Sequence, residues 1–178
     1  MEAEKPGTVF WLTGLAGAGK STLAQELAKK LRGQGREAIL LDGDVLRELF
    51  ITGESTYTKD ERQILANQYI RLCDLLSAQG VDVICATISL FQEIRDYAQQ
   101  HIRNFRLVYL QVPLDTLRER DQKQLYSRAE RGEIKNVMGA DIPFDEPKSP
   151  DLIIENDGTQ SPTDLAGAII VNLLPEQR

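Results

Sequence analysis

Cysteine and histidine are scarce in this chain, and that limits the chemistry open to it. There are two cysteines and one histidine in 178 residues, with no C-x-x-C spacing and no histidine close to either thiol. Cys73 falls in a helical pattern and Cys85 in a strand pattern, which reads as two buried free thiols and suits a reducing cytosol. His101 sits in a Gln/Arg-rich helix end and is read as a solvated residue without a role. Long apolar runs are missing, so no membrane span is expected. The opening residues Met1–Pro6 lack a cationic stretch followed by an apolar one, so the expected location is cytoplasmic. Net positive charge is missing too. The chain carries −6 at pH 7, which argues against long nucleic acids, whose binding runs on phosphate neutralisation. No repeat or low-complexity tract is present. What remains is 42% hydrophobic and 27% charged, the balance of a soluble globular protein. The length predicts one domain over residues 1–178, able to bury its core without disulfides.

The strongest positive signal is Gly14-Leu15-Ala16-Gly17-Ala18-Gly19-Lys20-Ser21-Thr22, directly after the apolar run Val9–Leu12. It fits G-x-x-x-x-G-K-[ST] in the setting that motif needs: buried strand, Gly-rich turn, helix. Glycines let backbone N–H groups close around a polyphosphate, and the helix N-terminus adds partial positive charge. Lys20 can reach the β- and γ-phosphates, and the Ser21 hydroxyl can ligate Mg²⁺. ATP and Mg²⁺ are therefore the expected cofactors. An ordinary Gly-rich βα turn would match the four specified positions in about one chain per hundred of this length.

Five apolar runs, Val9–Thr13, Ala38–Leu41, Val81–Ala86, Leu107–Val112 and Leu152–Ile154, alternate with helical patterns. All but one have too few polar residues to alternate, as in strands covered on both faces. Leu23, Leu27 and Leu31 mark one helix; Leu72, Leu75 and Leu76 a second; Leu165, Ile169 and Leu173 a third. The alternation predicts an α/β fold, a doubly wound parallel five-stranded sheet of the P-loop NTPase type. From about Asp121 to Pro150 no strand is predicted, and residues 121–147 are read as a mobile lid. Between Arg118 and Lys135, six basic residues face four acidic ones, a local +2 that leaves −8 on the rest. A small polyanion suits such a segment better than a nucleic acid surface.

Asp42-Gly43-Asp44 follows the second predicted strand, at the edge where α/β folds place their sites. Two carboxylates so spaced could hold a Mg²⁺-bound water and accept a proton from a substrate hydroxyl. The alternative is a polar turn with Asp44 as the N-cap of the next helix. Arg47, expected in the first turn of that helix, is electrostatically disfavoured there and so should answer a nearby anion.

Leu41-Asp42-Gly43-Asp44-x-x-Arg47, following the phosphate loop, resembles the adenylylsulfate (APS) kinase family. So do Arg120-Asp121-x-Lys123-x-Leu125-Tyr126, Gly132-Glu133-Ile134-Lys135 and Gly139-x-Asp141-x-Pro143-Phe144-x-x-Pro147. The resemblance covers residues 8–158. It implies a kinase that moves the ATP γ-phosphoryl onto the ribose 3′-hydroxyl of a small nucleotide, with adenylylsulfate the first candidate acceptor. It makes Asp44 the candidate base, assigns Lys20 and Ser89 to the catalytic set, and gives Ser21 and Asp42 to the metal. Asp42, Asp44, Arg47, Tyr57, Arg62, Ile88, Ser89, Lys123, Leu125, Lys135 and Val137 fall on acceptor-side positions. By the same resemblance, Arg47 and Arg62 are expected to clamp the acceptor's anionic tail. Ser89 occupies a serine often described as a phosphorylated intermediate, although in-line transfer needs no such step.

The ATP side matches throughout; the acceptor side does not. Leu65 stands where the family has Asn, Asn67 where it has Arg, Leu90 where it has Pro, and Glu130 where it has Arg. Val137 replaces the Phe that stacks on the acceptor's adenine. The pattern resembles members given over to another nucleotide, such as those of capsule phosphoramidate synthesis that phosphorylate a cytidine diphosphate derivative. Other readings fit less. A GTPase needs N-K-x-D, which is absent; a sugar-acid or shikimate kinase fits the fold but not the lid; a non-catalytic module would be expected to lose Lys20, Ser21 or the carboxylates. Whether the chain forms a homodimer stays open.

Overall fold

Val9–Thr13 forms β1, and every one of its residues is buried. Such a strand needs cover on both faces, and the rest of the chain supplies it. The computed structural model describes residues 5–89 and 91–174. Met1 to Glu4 of the leader reading, and Leu90, lie outside them. After β1 come α1 (Lys20–Gly33), β2 (Ala38–Asp42), α2 (Gly43–Phe50), α3 (Lys59–Ser77), β3 (Asp82–Thr87), α4 (Gln92–His101) and β4 (Phe105–Gln111). Then follow α5 (Leu114–Arg120), a 3₁₀ turn (Gln122–Gln124), α6 (Leu125–Glu130), β5 (Leu152–Glu155) and α7 (Pro162–Leu173).

The five strands are all parallel, in the order β2-β3-β1-β4-β5. Thr13 pairs with Thr87 on one side and Tyr109 on the other. The chain leaves β1 for one half of the sheet and returns for the other, so the carboxyl end of β1 is the switch point where α/β sheets bind ligands. Leu23, Ala24, Leu27, Ala28 and Leu31 of α1 are buried, and α1 packs with α7. Trp11, the chain's single tryptophan, is fully buried, its ring 6.3 Å from that of Phe105.

Several expectations change in detail. The edge strands β2 and β5 are only partly covered, since an edge strand has a neighbour on one side alone. Leu75 points outward at 61% exposure; the inner face of α3 is instead Leu65, Ala66, Tyr69, Ile70 and Cys73. The stretch after Asp121 holds a 3₁₀ turn and α6, with Tyr126, Val137 and Met138 buried. Cys73 and Cys85 are free, buried and adjacent; burial and the neighbouring Cys73 push the Cys85 thiol well up. No described helix is long and apolar enough to cross a membrane.

Candidate active site

The turn from β1 into α1 is built on glycines that no other residue could replace without strain. Gly14 has φ +153°, and a Cβ there would lie 2.6 Å from the Leu110 carbonyl oxygen. Gly19 has φ +91°, and a Cβ there would meet the Asn156 amide nitrogen at 2.6 Å. Because Gly19 is the N-cap and makes no side-chain cap bond, the first N–H groups of α1, those of Lys20, Ser21 and Thr22, are open to an anion. Gly17, Leu15, Ala16 and Ala18 complete the loop. Lys20 is 9% exposed and donates from Nζ to the Leu15 carbonyl at 2.8 Å. Burial lowers its pKa to about 8, against the opposing pull of Asp44 and Asp42. The loop is braced from the β5 side: Asn156 Nδ2 donates to the Ala18 carbonyl at 2.9 Å, and Arg120 Nη2 donates to the Asn156 carbonyl at 2.9 Å.

At the end of β2, Ser21 Oγ donates to Asp42 Oδ2 at 2.6 Å. The other Asp42 oxygen accepts the Asp44 N–H at 2.9 Å. Asp42, not Asp44, is thus the N-cap of α2. The cap assignment releases Asp44, whose carboxylate is 70% exposed and accepts from Lys123 Nζ at 2.9 Å. That hydrogen bond raises the Lys123 pKa. Ser21 and Asp42 present hydroxyl and carboxylate oxygens, the hard donors Mg²⁺ takes alongside phosphate and water. Among the described residues, no group of three His, Cys, Asp or Glu forms a metal centre.

Arg47, Tyr57 and Arg62 come together a few residues away. The Arg47 guanidinium lies 4.5 Å from the Tyr57 ring centroid and that of Arg62 5.5 Å. Arg47 belongs to the last turn of α2, where the helix dipole favours a cation, so the dipole argument for a nearby anion fails. The anion exists nonetheless. Arg47 donates to Glu61 Oε1 at 2.6 Å. Glu61 also accepts from Ser55, from the backbone and hydroxyl of Thr56, and from the Tyr57 backbone. Burial opposes this carboxylate, but those hydrogen bonds outweigh it and hold its pKa at about 2. Among the described residues Arg62 has no carboxylate within ion-pair distance; it donates to the carbonyls of Tyr57 and Asn136, each at 2.9 Å.

Ser89, 4% exposed, has no partner for its hydroxyl among the described residues, while its carbonyl accepts from Thr13 Oγ1 at 3.2 Å. Ile88 and Leu125 are half-buried against the core, and Lys135 is exposed. Val137 is 7% exposed, and its N–H donates to Asp141 at 2.6 Å. Residues 121–147 touch the phosphate loop through Tyr126 Oη to Ala16 (3.0 Å) and the α4–β4 side through Tyr109 Oη to Glu146 Oε1 (3.1 Å). Asn136, Glu61 and Asn156 were not picked out as site residues from sequence. Asn136 carries a signal as a residue type that tolerates positive φ in a turn, and Glu61 one as the last member of Thr58-x-x-Glu61, whose threonine caps α3.

The adenylylsulphate kinase family model matches residues 6–155. The cytidine diphosphoramidate kinase of Campylobacter jejuni is 43% identical over 148 residues, 83% of this chain and 85% of that protein. An adenylyl-sulfate kinase of Gloeothece citriformis is 40% identical over 151 residues, 85% of each chain. The Mycobacterium tuberculosis APS kinase CysC, solved in complex with AMPPNP and APS, superposes with a TM-score of 0.85 at 32% identity, covering 94% of this chain and 98% of that one. The phosphate loop, the paired aspartates and the later charged segment therefore describe one enzyme class, an ATP-using phosphotransferase with a hydroxyl acceptor. This chain belongs to the adenylylsulphate kinase family.

Proposed function

We propose that the protein transfers the γ-phosphoryl group of ATP to the ribose 3′-hydroxyl of a small nucleotide, and that this nucleotide is a cytidine diphosphate derivative. The carrying observation is the cluster of Lys20, Ser21, Asp42, Asp44 and Lys123 at one end of the sheet. In it Asp44 takes the proton of the attacking hydroxyl, and Lys123 holds that carboxylate in place until the acceptor arrives. The loop N–H groups and Lys20 hold the β- and γ-phosphates, where positioning and charge supply nearly all of the catalysis. Ser21 and Asp42 would hold Mg²⁺, which would supply positive charge against that of the phosphates. Segment 121–147 serves as a lid that excludes water.

The acceptor choice rests on Val137 and Asn67. A base stacked on an aromatic ring gains about 1–3 kcal/mol, so a valine there weakens adenine roughly 5- to 150-fold. Val137 is also buried and offers little surface of its own. Asn67 removes a charge-assisted hydrogen bond of about 1.5–3 kcal/mol. The similarity to the Campylobacter jejuni enzyme supports the same choice. Adenylylsulfate is the second reading, favoured by Tyr57, an aromatic ring that is 45% exposed. Measuring kcat/KM for adenylylsulfate beside cytidine diphosphate derivatives at saturating ATP and Mg²⁺ tests the choice. Efficient turnover of adenylylsulfate with no cytidine activity refutes it. We also place the enzyme in the cytoplasm as a homodimer, supported by the two free thiols and by the exposed Val45, Leu49 and Phe50 of α2; sedimentation as a monomer at micromolar concentration rejects the dimer.

A further inference from the structure

Among the described residues, five non-glycine residues have φ in the left-handed region: Tyr57, Asp121, Lys123, Gln124 and Asn136. Four lie in segment 121–147 and the fifth in the loop joining α2 to α3. Such residues persist where surrounding contacts over-determine them, and they cluster where a protein acts. Two of the five sit at one junction. Asn136 Nδ2 donates to the Thr56 carbonyl at 2.9 Å, one residue before Tyr57. The Asn136 carbonyl accepts from Arg62 at 2.9 Å, and its N–H donates to Asp141 at 2.7 Å. All of its backbone and the donor end of its side chain are committed.

We propose that Asn136 is the positioning residue that couples segment 121–147 to the acceptor-side loop 51–58, so that seating ATP under the segment also orders the wall that receives the acceptor. The inference rests on the lid reading above. Its geometry is continuous. The segment reaches the phosphate loop through Tyr126 and Asp44 through Lys123. From Asn136 the path crosses to Thr56 and Tyr57, which Glu61 ties to Arg47. Asparagine fits the junction on two counts. It tolerates φ +66°, and its carboxamide supplies the donor that a bare carbonyl opposite requires.

Glycine at this position keeps the backbone and deletes the donor. Hydrogen exchange is followed on wild type and Asn136→Gly, with and without AMPPNP and Mg²⁺, which needs no knowledge of the acceptor. In the wild type the analogue protects both 121–131 and 52–58; in the variant it protects 121–131 alone. In steady state, losing one hydrogen bond raises the acceptor KM roughly 3- to 10-fold, while the KM for ATP stays put. Asn136→Asp keeps the shape and turns the donor into an acceptor facing the Thr56 carbonyl, so it must uncouple the two segments in the same way, even if the glycine variant folds poorly. Equal protection of 52–58 in wild type and variants overturns the proposal. So does an ATP KM that rises in step with the acceptor KM. Analogue binding that leaves 121–131 unprotected in wild type removes the lid and the coupling with it, whereas a wrong acceptor would spoil only the kinetic arm.

Discussion

Raising the pH from 7 to 9 should weaken ATP binding about tenfold, through one side chain. Lys20 is almost entirely enclosed, its ammonium facing the Leu15 carbonyl, and its pKa lies at about 8. The free protein therefore holds the charge on about nine molecules in ten at pH 7 and on about one in ten at pH 9. A polyphosphate beside Nζ restores the charged form, so binding above pH 8 must take up a proton. Affinity then falls about tenfold per pH unit until the pKa of the bound state is reached. An ordinary lysine would stay charged throughout and give a flat profile. The assay is titration calorimetry with an ATP analogue at several pH values, on wild type and on Lys20→Arg. Arginine keeps its charge, so the variant binds more weakly overall but without the slope, and any titration of the nucleotide itself cancels between the two. A wild-type Kd that is flat between pH 7 and 9, or a slope shared by the arginine variant, refutes the reasoning.

Asp44→Asn should cut kcat roughly 10²- to 10⁴-fold while ATP binding survives; loss of Mg²⁺-dependent ATP affinity at near-normal kcat would make Asp44 a metal residue instead. Glu61→Gln leaves Arg47 without its countercharge, at a cost of about 1.5–3 kcal/mol, and should raise the acceptor KM. It should also flatten the acid limb of stability, because a depressed carboxylate stabilises fully above about pH 4.5 and loses that effect as pH falls toward 2; thermal melts of wild type and variant across that range check it. Gly14→Ala places a methyl against the Leu110 carbonyl at φ +153°. It should lose at least about 1–3 kcal/mol in urea unfolding from backbone strain.

The phosphate loop was legible because its chemistry is local: three glycines, a lysine and a serine at fixed spacing leave little to tertiary context. Asp42 and Asp44 were legible as a pair but not by role. Which one caps α2 depends on where the helix begins, and the two-residue shift of the cap from Asp44 to Asp42 moves Arg47 from a turn that repels it to one that tolerates it. Leu75 misled because leucines at helical spacing do not say which side of the stripe meets the sheet; Cys73 and Tyr69 set that side. Asn136 and Asn156 act on partners that fold to them, Thr56 lying 80 residues before Asn136 and Ala18 138 residues before Asn156. An isolated Asn carries no mark of such a partner. Residues 121–150 read as irregular because two helical pieces of three and six residues are too short to show a period.

Trp11 gives the molecule an internal optical probe. It is the sole indole, it occupies the central strand next to the phosphate loop, and water does not reach it. Its emission must be that of an apolar medium in the native protein and shift to the red in one step when the sheet comes apart. Segment 121–147 and the Tyr57 loop can rearrange without exposing that ring. Intrinsic fluorescence will therefore report loss of the core, while ligand closure has to be followed by a label placed elsewhere, so the two events can be timed independently in one sample.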